Sequence, residues 1–598
     1  MPETGDAQAL KPAAAALQAK LNQGMVLHRQ GKLVDAERCY EEVLQRQPNH
    51  FDALHLLGVI ARQTRRTGRG VELIKKAIGL NPNVAAAHSN LGNALMELKR
   101  PVEALASYDR AIALKPDVAE IHNNRGNALM ELKRPAEALA SYDKAIAVKP
   151  DYAWAHNNRG NALKNLKDLA GALASYDRAI ALRPNEAEAH YNRGNALRDL
   201  KRPAEALASY DKAIALKSEY AAAHNNRGNA LKDLRRPAEA LASYDRAIAL
   251  RPDVAETHNN RGNALRNLKD LAEALASYDK AIALKPDYAE AHWNQSLCLL
   301  LMGCLEQGLR QYEWRKKKLK PTVARSYPKP VWLGKENIPG KIVFTYWEQG
   351  LGDTIQFCRY AKLVEARGAR VIMSVQQPLC GLLKQISPTI QILNSNEEPT
   401  DFDYHCPLLS LPLAFGTTLE TIPAEQQYLK ADERLRSVWS ARLPPKTKPR
   451  IGVVWSGSTV HTKDHYRSME LQQFLKIFSP DAEWICLQKK IREKDFAILR
   501  QSGRIAFFGD DLRDFSDTAA LLGLMDLVIT IDTSVAHLAG AMGKPVWILL
   551  PYDPDWRWLL DRDDSPWYPS ARLFRQQQIG NWATVTDQVK NELRSAIL

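Results

Sequence analysis

The chain has 598 residues, 45% of them hydrophobic and 25% charged, with a formal net charge of +14. That length asks for several domains, and that composition is the ordinary one of a globular protein. No stretch reaches about 18 uninterrupted apolar residues, which excludes a membrane-spanning helix. The seven cysteines (Cys39, Cys298, Cys304, Cys358, Cys380, Cys406, Cys486) are odd in number and lack paired zinc spacing, which suits a reducing compartment. Residues 1–20 carry Glu3 and Asp6 and no apolar core, so no signal peptide is read there and the expected location is cytoplasmic.

A 34-residue period then takes over. It places His88, His122, His156, His190, His224, His258 and His292 in register, with Gly92 to Gly262 and Tyr108 to Tyr312 at the same interval. Within 121–158 an alanine-rich helix runs to Leu132, Lys133-Arg134-Pro135 turns the chain, and a second helix covers 136–148 until Pro150 stops it. The order of small residue, Ala, Tyr, Ala and Pro resembles the tetratricopeptide repeat, whose stacked helix pairs form an α-solenoid. The phase reaches back through Gly24, Ala36 and Pro48, giving about nine units over residues 17–322 after an extension at 1–16. The last unit has Ser296 in place of glycine and reads as a cap onto the C-terminal half. Stacked repeats lie about 10 Å apart, too far for the histidines to share a metal, so these are expected to be packing residues.

Two asparagine series recur on the first helices. One is Asn90, Asn124, Asn158, Asn192, Asn226, Asn260 and Asn294, and the other runs from Asn93 to Asn263. Three-residue spacing sets both on one helical face. An amide offers donors and an acceptor together, so this ladder either grips an extended polypeptide backbone or bonds the neighbouring repeat. The array resembles that of the O-linked N-acetylglucosamine transferase, which implies a polypeptide on its concave face. Arg125, Arg159, Arg193, Arg227 and Arg261 sit where the repeat family usually has an aliphatic residue, and they either snorkel or meet acidic groups. Repeat arrays can also dimerise, and a homodimer stays open.

Basic residues crowd the end of the array (Arg310, Arg315, Lys316, Lys317, Lys318, Lys320, Arg325, Lys329, Lys335). This is read as a solvated linker over 323–340 that adds positive potential beside a phosphate site, with no nucleic acid expected.

Past Pro330 the grammar changes to strand, loop, helix, strand. Residues 341–346 and 370–375 read as strands around a helix at 354–367; 451–455, 483–487 and 527–531 read as strands of a second half beyond an irregular middle at 395–449. The chain at 527–537, Leu-Val-Ile-Thr-Ile-Asp-Thr-Ser-Val-Ala-His, ends a strand in hydroxyls and starts a small-residue helix, which is either an anion site or an ordinary cap. It is similar to the heptosyltransferase-type (family 9) glycosyltransferases. That resemblance implies a GT-B fold of two Rossmann-like domains, acceptor side 341–440 and nucleotide-sugar side 441–598, with Asp532, Thr533, Ser534 and His537 at the donor diphosphate. It also implies that Asp353, in the loop Glu348-Gln349-Gly350-Leu351-Gly352-Asp353, is the base that deprotonates the acceptor hydroxyl. Ser456, Gly457 and Ser458 follow a second-half strand and can approach phosphate by backbone; Lys463 or Arg467, with Arg467 favoured, can neutralise the leaving group. Gln488 is a candidate for the ribose or base. Trp556, Trp558, Trp567 and Tyr568 either line a pocket or pack the domain end, and a closing helix is expected at 583–597.

The expectation is therefore a tetratricopeptide superhelix joined to an α/β glycosyltransferase. It takes a nucleotide-sugar as co-substrate, needs no bound cofactor or metal, and acts on a recruited polypeptide; similarity to joined proteins of this type implies a surface protein such as flagellin. The rivals are a glycan or lipid-saccharide acceptor with the repeats as scaffold, and a pure interaction protein with a degenerate transferase.

Overall fold

The computed structural model describes residues 6–318, 325, 327–460 and 464–597, and the chain divides into two compact units, Met1–Pro252 and Asp253–Leu598. The division falls inside the repeats and not at the expected linker, so the last two repeats belong with the α/β region.

Among the described residues the first unit has seven helix pairs, from Asp6–Arg29 with Leu33–Arg46 to Ala221–Asp233 with Pro237–Leu250. The first helix starts at Asp6, so residues 6–16 belong to it and do not form a separate extension. The Leu-Lys-Arg-Pro turns work by division of labour. Lys99, Lys133, Lys201 and, in the variant turns, Lys167 and Arg235 take the left-handed conformation that ends the first helix, with φ between 58° and 68°. Pro101, Pro135, Pro203 and Pro237 then open the second helix, where a missing N–H costs nothing. The repeated glycine makes room for the repeated tyrosine: a β-carbon on Gly92 would lie 2.5 Å from the Tyr108 ring. Tyr108 is fully buried, as are Ala104 and Ala111 on the same helix.

The second unit begins with the pairs Ala255–Asn267 with Leu271–Leu284 and Ala289–Leu301 with Leu305–Tyr312, followed by a 3-10 turn at Glu313–Lys317. Two wholly parallel sheets come next. The first has the order β3-β2-β1-β4, where β1 is Ile342–Tyr346, β2 Arg370–Val375, β3 Gln391–Asn394 and β4 Tyr404–Pro407. The second has the order β10-β9-β8-β5-β6-β7, where β5 is Arg450–Val454, β6 Glu483–Cys486, β7 Ile505–Phe507, β8 Leu527–Ile531, β9 Val546–Leu550 and β10 Ala571–Arg575. Central strands such as β5 are buried on both faces, as helix-covered parallel strands must be. The middle segment is less irregular than expected, since it supplies β4 and the helix Glu433–Arg442. Part of the expected linker is also packed: Trp332 is fully buried and its backbone N–H donates to the His405 carbonyl at 2.9 Å, extending the β4 edge. The closing helix is Ala583–Ile597.

Each sheet reverses its strand order once, between β1 and β4 and between β5 and β8. Crevices for ligands open at the carboxyl ends of strands at such switch points. The segments after β1, β5 and β8 are the ones that carry the candidate residues.

Candidate functional site

The repeat face is a stitched network. In the first unit the Tyr108 hydroxyl donates to Asn93 Oδ1 at 2.8 Å, and the same oxygen accepts Asn124 Nδ2 of the next repeat at 3.1 Å. Asn158 donates to Asn123 and Asn127, Asn192 to Asn157, and Asn226 to Tyr191 and Asn195. Asn90 meets the His55 ring at 3.0 Å. In the second unit Asn294 donates to Asn259, and Asn260 is buried. The ladder amides thus bond the preceding repeat, as a structural ladder does.

The arginine series acts alike: Arg125 Nε reaches Asp109 of the preceding repeat at 2.7 Å while its Nη1 reaches Ser141 of its own at 2.7 Å. Arg159, Arg193 and Arg227 repeat this pattern. The histidine rings bond a backbone carbonyl six residues back, as His88 does Pro82 at 2.8 Å.

In the α/β region the loop after β1 leads into the helix Leu351–Phe357, and Asp353 stands in its first turn rather than in the loop. Asp353 Oδ2 accepts the Gly350 N–H at 2.7 Å, and Oδ1 pairs with the Arg557 guanidinium. Arg557 is buried and also holds Asp555 at 2.8 Å. Sequence reasoning misses Arg557, because the Trp-Arg-Trp at 556–558 draws attention to its aromatics. Gln349 is held by its carbonyl, which accepts Gln376 Nε2 at 3.0 Å, and by its side chain, which donates to the Tyr312 hydroxyl at 3.3 Å.

After β8, Thr533 is the N-cap residue of the helix Ser534–Ala541, yet its side chain makes no cap bond and instead meets Thr530 Oγ1 at 3.3 Å. The first-turn amides are therefore left without a side-chain cap at the positive end of the helix. Asp532 is mostly buried; burial and the Asp555 charge push its carboxyl up, against the pull of Arg467. His537 departs from the diphosphate role. Its Nδ1 meets the Tyr568 hydroxyl at 3.0 Å, its ring stacks on Trp558, and its Nε2 stands 4.0 Å from Asp532 Oδ1. Burial, then the nearby arginines, push the imidazole down to about 3, so it is a neutral packing group.

After β5, the Arg467 guanidinium lies over Gly457, where a β-carbon would come within 2.8 Å of Nη2, and Nη1 donates to the Asp532 carbonyl at 2.8 Å. A β-carbon there would also lie 2.6 Å from Asp464 Oδ1, and the Arg467 bond ties the second-half loop to the end of β8. Gly457 N–H is taken by Ser468 Oγ at 2.9 Å, while Ser458 is exposed. Lys463 lies outside the described residues. The expected role of Gln488 is corrected: its Oε1 accepts the Trp455 and Ser456 amides at 2.7 and 3.2 Å, and its Nε2 donates to Ser456 Oγ at 3.0 Å. It braces the loop instead of reaching a ribose or base. Trp556, Trp558, Trp567 and Tyr568 are all buried, which selects packing. Of the basic run, Arg310, Lys316, Lys317, Lys329 and Lys335 are exposed as a solvated run requires, and Arg315 alone among the described members is buried, between Glu313 and Glu348.

The two halves meet at Gly352, where a β-carbon would lie 2.7 Å from His537 Cδ2 and 3.4 Å from Ser534 Cα. Asp353, Arg557, Asp532, the Ser534 helix start and Arg467 are thereby gathered at the carboxyl ends of β1 and β8. No group of three or more His, Cys, Asp or Glu among the described residues is arranged to hold a metal, and no described helix is long and apolar enough to cross a membrane.

Tetratricopeptide-repeat family models match residues 21–85, 157–221 and 225–289, and 85–118, and a TPR-repeat model matches 126–167. Tetratricopeptide repeats therefore make up the N-terminal part of the chain. Over 324 residues the chain is 26% identical to Protein FlbA of Caulobacter vibrioides, covering 50% of this chain and 53% of that protein, so it spans about half the length of that curated relative. Among solved structures it is similar to YrrB, described as a TPR protein with an unusual peptide-binding site, at 26% identity over 31% of this chain and 95% of that one, with a TM-score of 0.28. It is also similar to a tetratricopeptide repeat protein from Parabacteroides merdae, at 16% identity over 42% of this chain and 99% of that one, with a TM-score of 0.36.

Proposed function

We propose that the α/β region is a glycosyltransferase that moves a sugar from a nucleotide-sugar to a hydroxyl of a polypeptide recruited by the repeats. The observation that supports this reading best is the meeting of Gly352, beside Asp353, with Ser534 at the start of the uncapped helix after β8. An acid–base carboxylate and an anion-binding helix start then border one crevice.

In this reading Asp353 takes the acceptor proton as the hydroxyl attacks the sugar, and Arg557 holds that carboxylate in place beforehand. The bond from sugar to diphosphate breaks, and the departing charge is met by Arg467, Thr533, Ser534 and the first-turn amides. These supply positive charge without a metal. A surface protein such as flagellin is the acceptor implied by the family resemblance.

A second reading, a repeat scaffold without catalysis, is favoured by one observation: both oxygens of Asp353 already have partners. The experiment that separates them is thermal stabilisation of the full chain by a panel of nucleotides and nucleotide-sugars. A shift with one nucleotide, lost on combining Thr533→Ala with Ser534→Ala, supports the transferase and names the base. No shift with any of them supports the scaffold.

A further inference from the structure

The ninth repeat breaks the pattern at the positions where earlier repeats bond their neighbours. Leu297 stands one period after Asn263, where every repeat from Asn93 onward has the asparagine that accepts its own tyrosine hydroxyl. Gln295 replaces the arginine, and its Nε2 still reaches back to Asp279 at 2.6 Å. The backward stitch is therefore kept while the internal one is lost. Tyr312, buried and with Leu297 where its own repeat would carry the accepting asparagine, takes instead the Gln349 amide of the loop before Asp353.

Glu313 makes the same exchange. It occupies the position of Asp109, Asp143, Asp177 and Asp211, each of which receives the arginine of the following repeat. No repeat comes after this one, and Glu313 receives Ser410 Oγ at 2.7 Å and Arg315 Nη1 at 2.6 Å. Arg315 carries the link onward: its Nη2 reaches Glu348 at 2.6 Å and Ser410 at 2.7 Å, and its guanidinium lies over the Tyr312 ring. The α/β region thus takes the place of a tenth repeat, and its docking contacts include Glu348, Gln349 and Ser410.

We infer that Tyr312 and Arg315 are positioning residues of the candidate transfer site, holding Gln349 and Glu348 so that the Gly350 turn presents Asp353 to the crevice. The inference rests on the glycosyl-transfer reading for its consequence in rate, and on geometry alone for its consequence in loop order. A buried hydrogen bond fixing a loop next to a reacting group acts on the geometry of the transition state more than on donor binding.

The test uses the full chain with Tyr312→Phe, which removes one oxygen, and Gln349→Leu, which removes the partner from the loop side. The expected result is a kcat about tenfold lower in each, a donor KM within about twofold of the parent, and a double variant no worse than either single one. Hydrogen exchange at the amides of residues 350–354 should quicken in both variants and stay unchanged in Ala255–Asn267. A kcat equal to the parent's, or additive losses, would overturn the inference. If the unmodified chain transfers no sugar from any donor, the transferase reading fails by itself, and exchange decides the rest: unchanged protection at 350–354 overturns the positioning role, and faster exchange upholds it. Should Tyr312→Phe not fold, Gln349→Leu and Arg315→Lys carry the same comparison.

Discussion

Gly352 and His537 lie so close that one added methyl would put carbon 2.7 Å from the imidazole edge. The contact joins the helix that carries Asp353 to the helix that follows Asp532, so the geometry of the crevice depends on a hydrogen atom standing where other residues have a side chain. Gly352→Ala should cost about 1–3 kcal/mol through overpacking. Urea denaturation measures it. A stability equal to the parent's would show that the two helices have slack there.

Asp353 has two duties, and they separate by substitution. Asp353→Asn keeps an acceptor for the Gly350 N–H but takes from Arg557 one of its carboxylate partners and leaves it Asp555. Transfer should vanish, and stability should fall by about 1–3 kcal/mol, less than for a fully orphaned buried charge because Asp555 remains. Transfer at the parent's rate in a folded Asp353→Asn chain would remove it as the base.

His537 predicts a pH dependence. Its folded value, pushed down to about 3 by burial and by Arg557, lies below its ordinary value near 6.5. Between these the unfolded chain binds a proton that the folded chain refuses. Stability from this group is therefore full above about 6.5 and drains away as pH falls toward 3. The difference in melting temperature between the parent and His537→Gln, followed from pH 7 to pH 4, should change in favour of the variant as the pH drops. A pH-independent difference would mean that the imidazole takes a proton inside the fold.

The asparagine ladder carries a stability prediction. Replacing Asn158, Asn192 and Asn226 together by Ala removes bonds to Asn123, Asn127, Asn157, Tyr191 and Asn195. At about 1 kcal/mol for each half-buried bond, the loss should total several kcal/mol. Guanidinium unfolding of the full chain reads it. Weaker polypeptide binding with unchanged stability would instead return the ladder to the role of a peptide grip.

The period, the helix pairs and the strands β1, β2, β5, β6 and β8 are legible in the sequence because each is a local pattern: a fixed interval, a helix-breaking proline, a run of β-branched residues before glycine or aspartate. The strands β3, β4 and β7, of three or four residues, carry weaker local signals and owe their existence to partners in the sheet, whereas β9 and β10, five residues each, are as long as β5 and β8 yet are not among the strands read from the sequence. The site is half legible. Asp353, Asp532 and Ser534 can be placed at strand ends, since strand–loop–helix grammar fixes where such loops stand. What each side chain touches cannot be read. The Gln488 bond to Trp455 and Ser456 joins residues more than thirty positions apart, and the Arg557 pairing with Asp353 spans some two hundred. The asparagines show the same limit from the other side: their spacing fixes the face, while the choice between partner and neighbour depends on distances between helices that no spacing encodes.

The asparagine and arginine series of the first unit point one way, while Arg62 reaches forward to Glu97 at 2.7 Å. Asn124, Asn158, Asn192 and Asn226, and Arg125, Arg159, Arg193 and Arg227, each reach back to the repeat before their own. A ribosome releases the chain in that same order, N-terminal residues first. Each repeat on emerging thus finds the acceptors that these bonds use in the preceding repeat already in place. Growth of the array resembles the laying of courses, each fastened to the one below as it arrives.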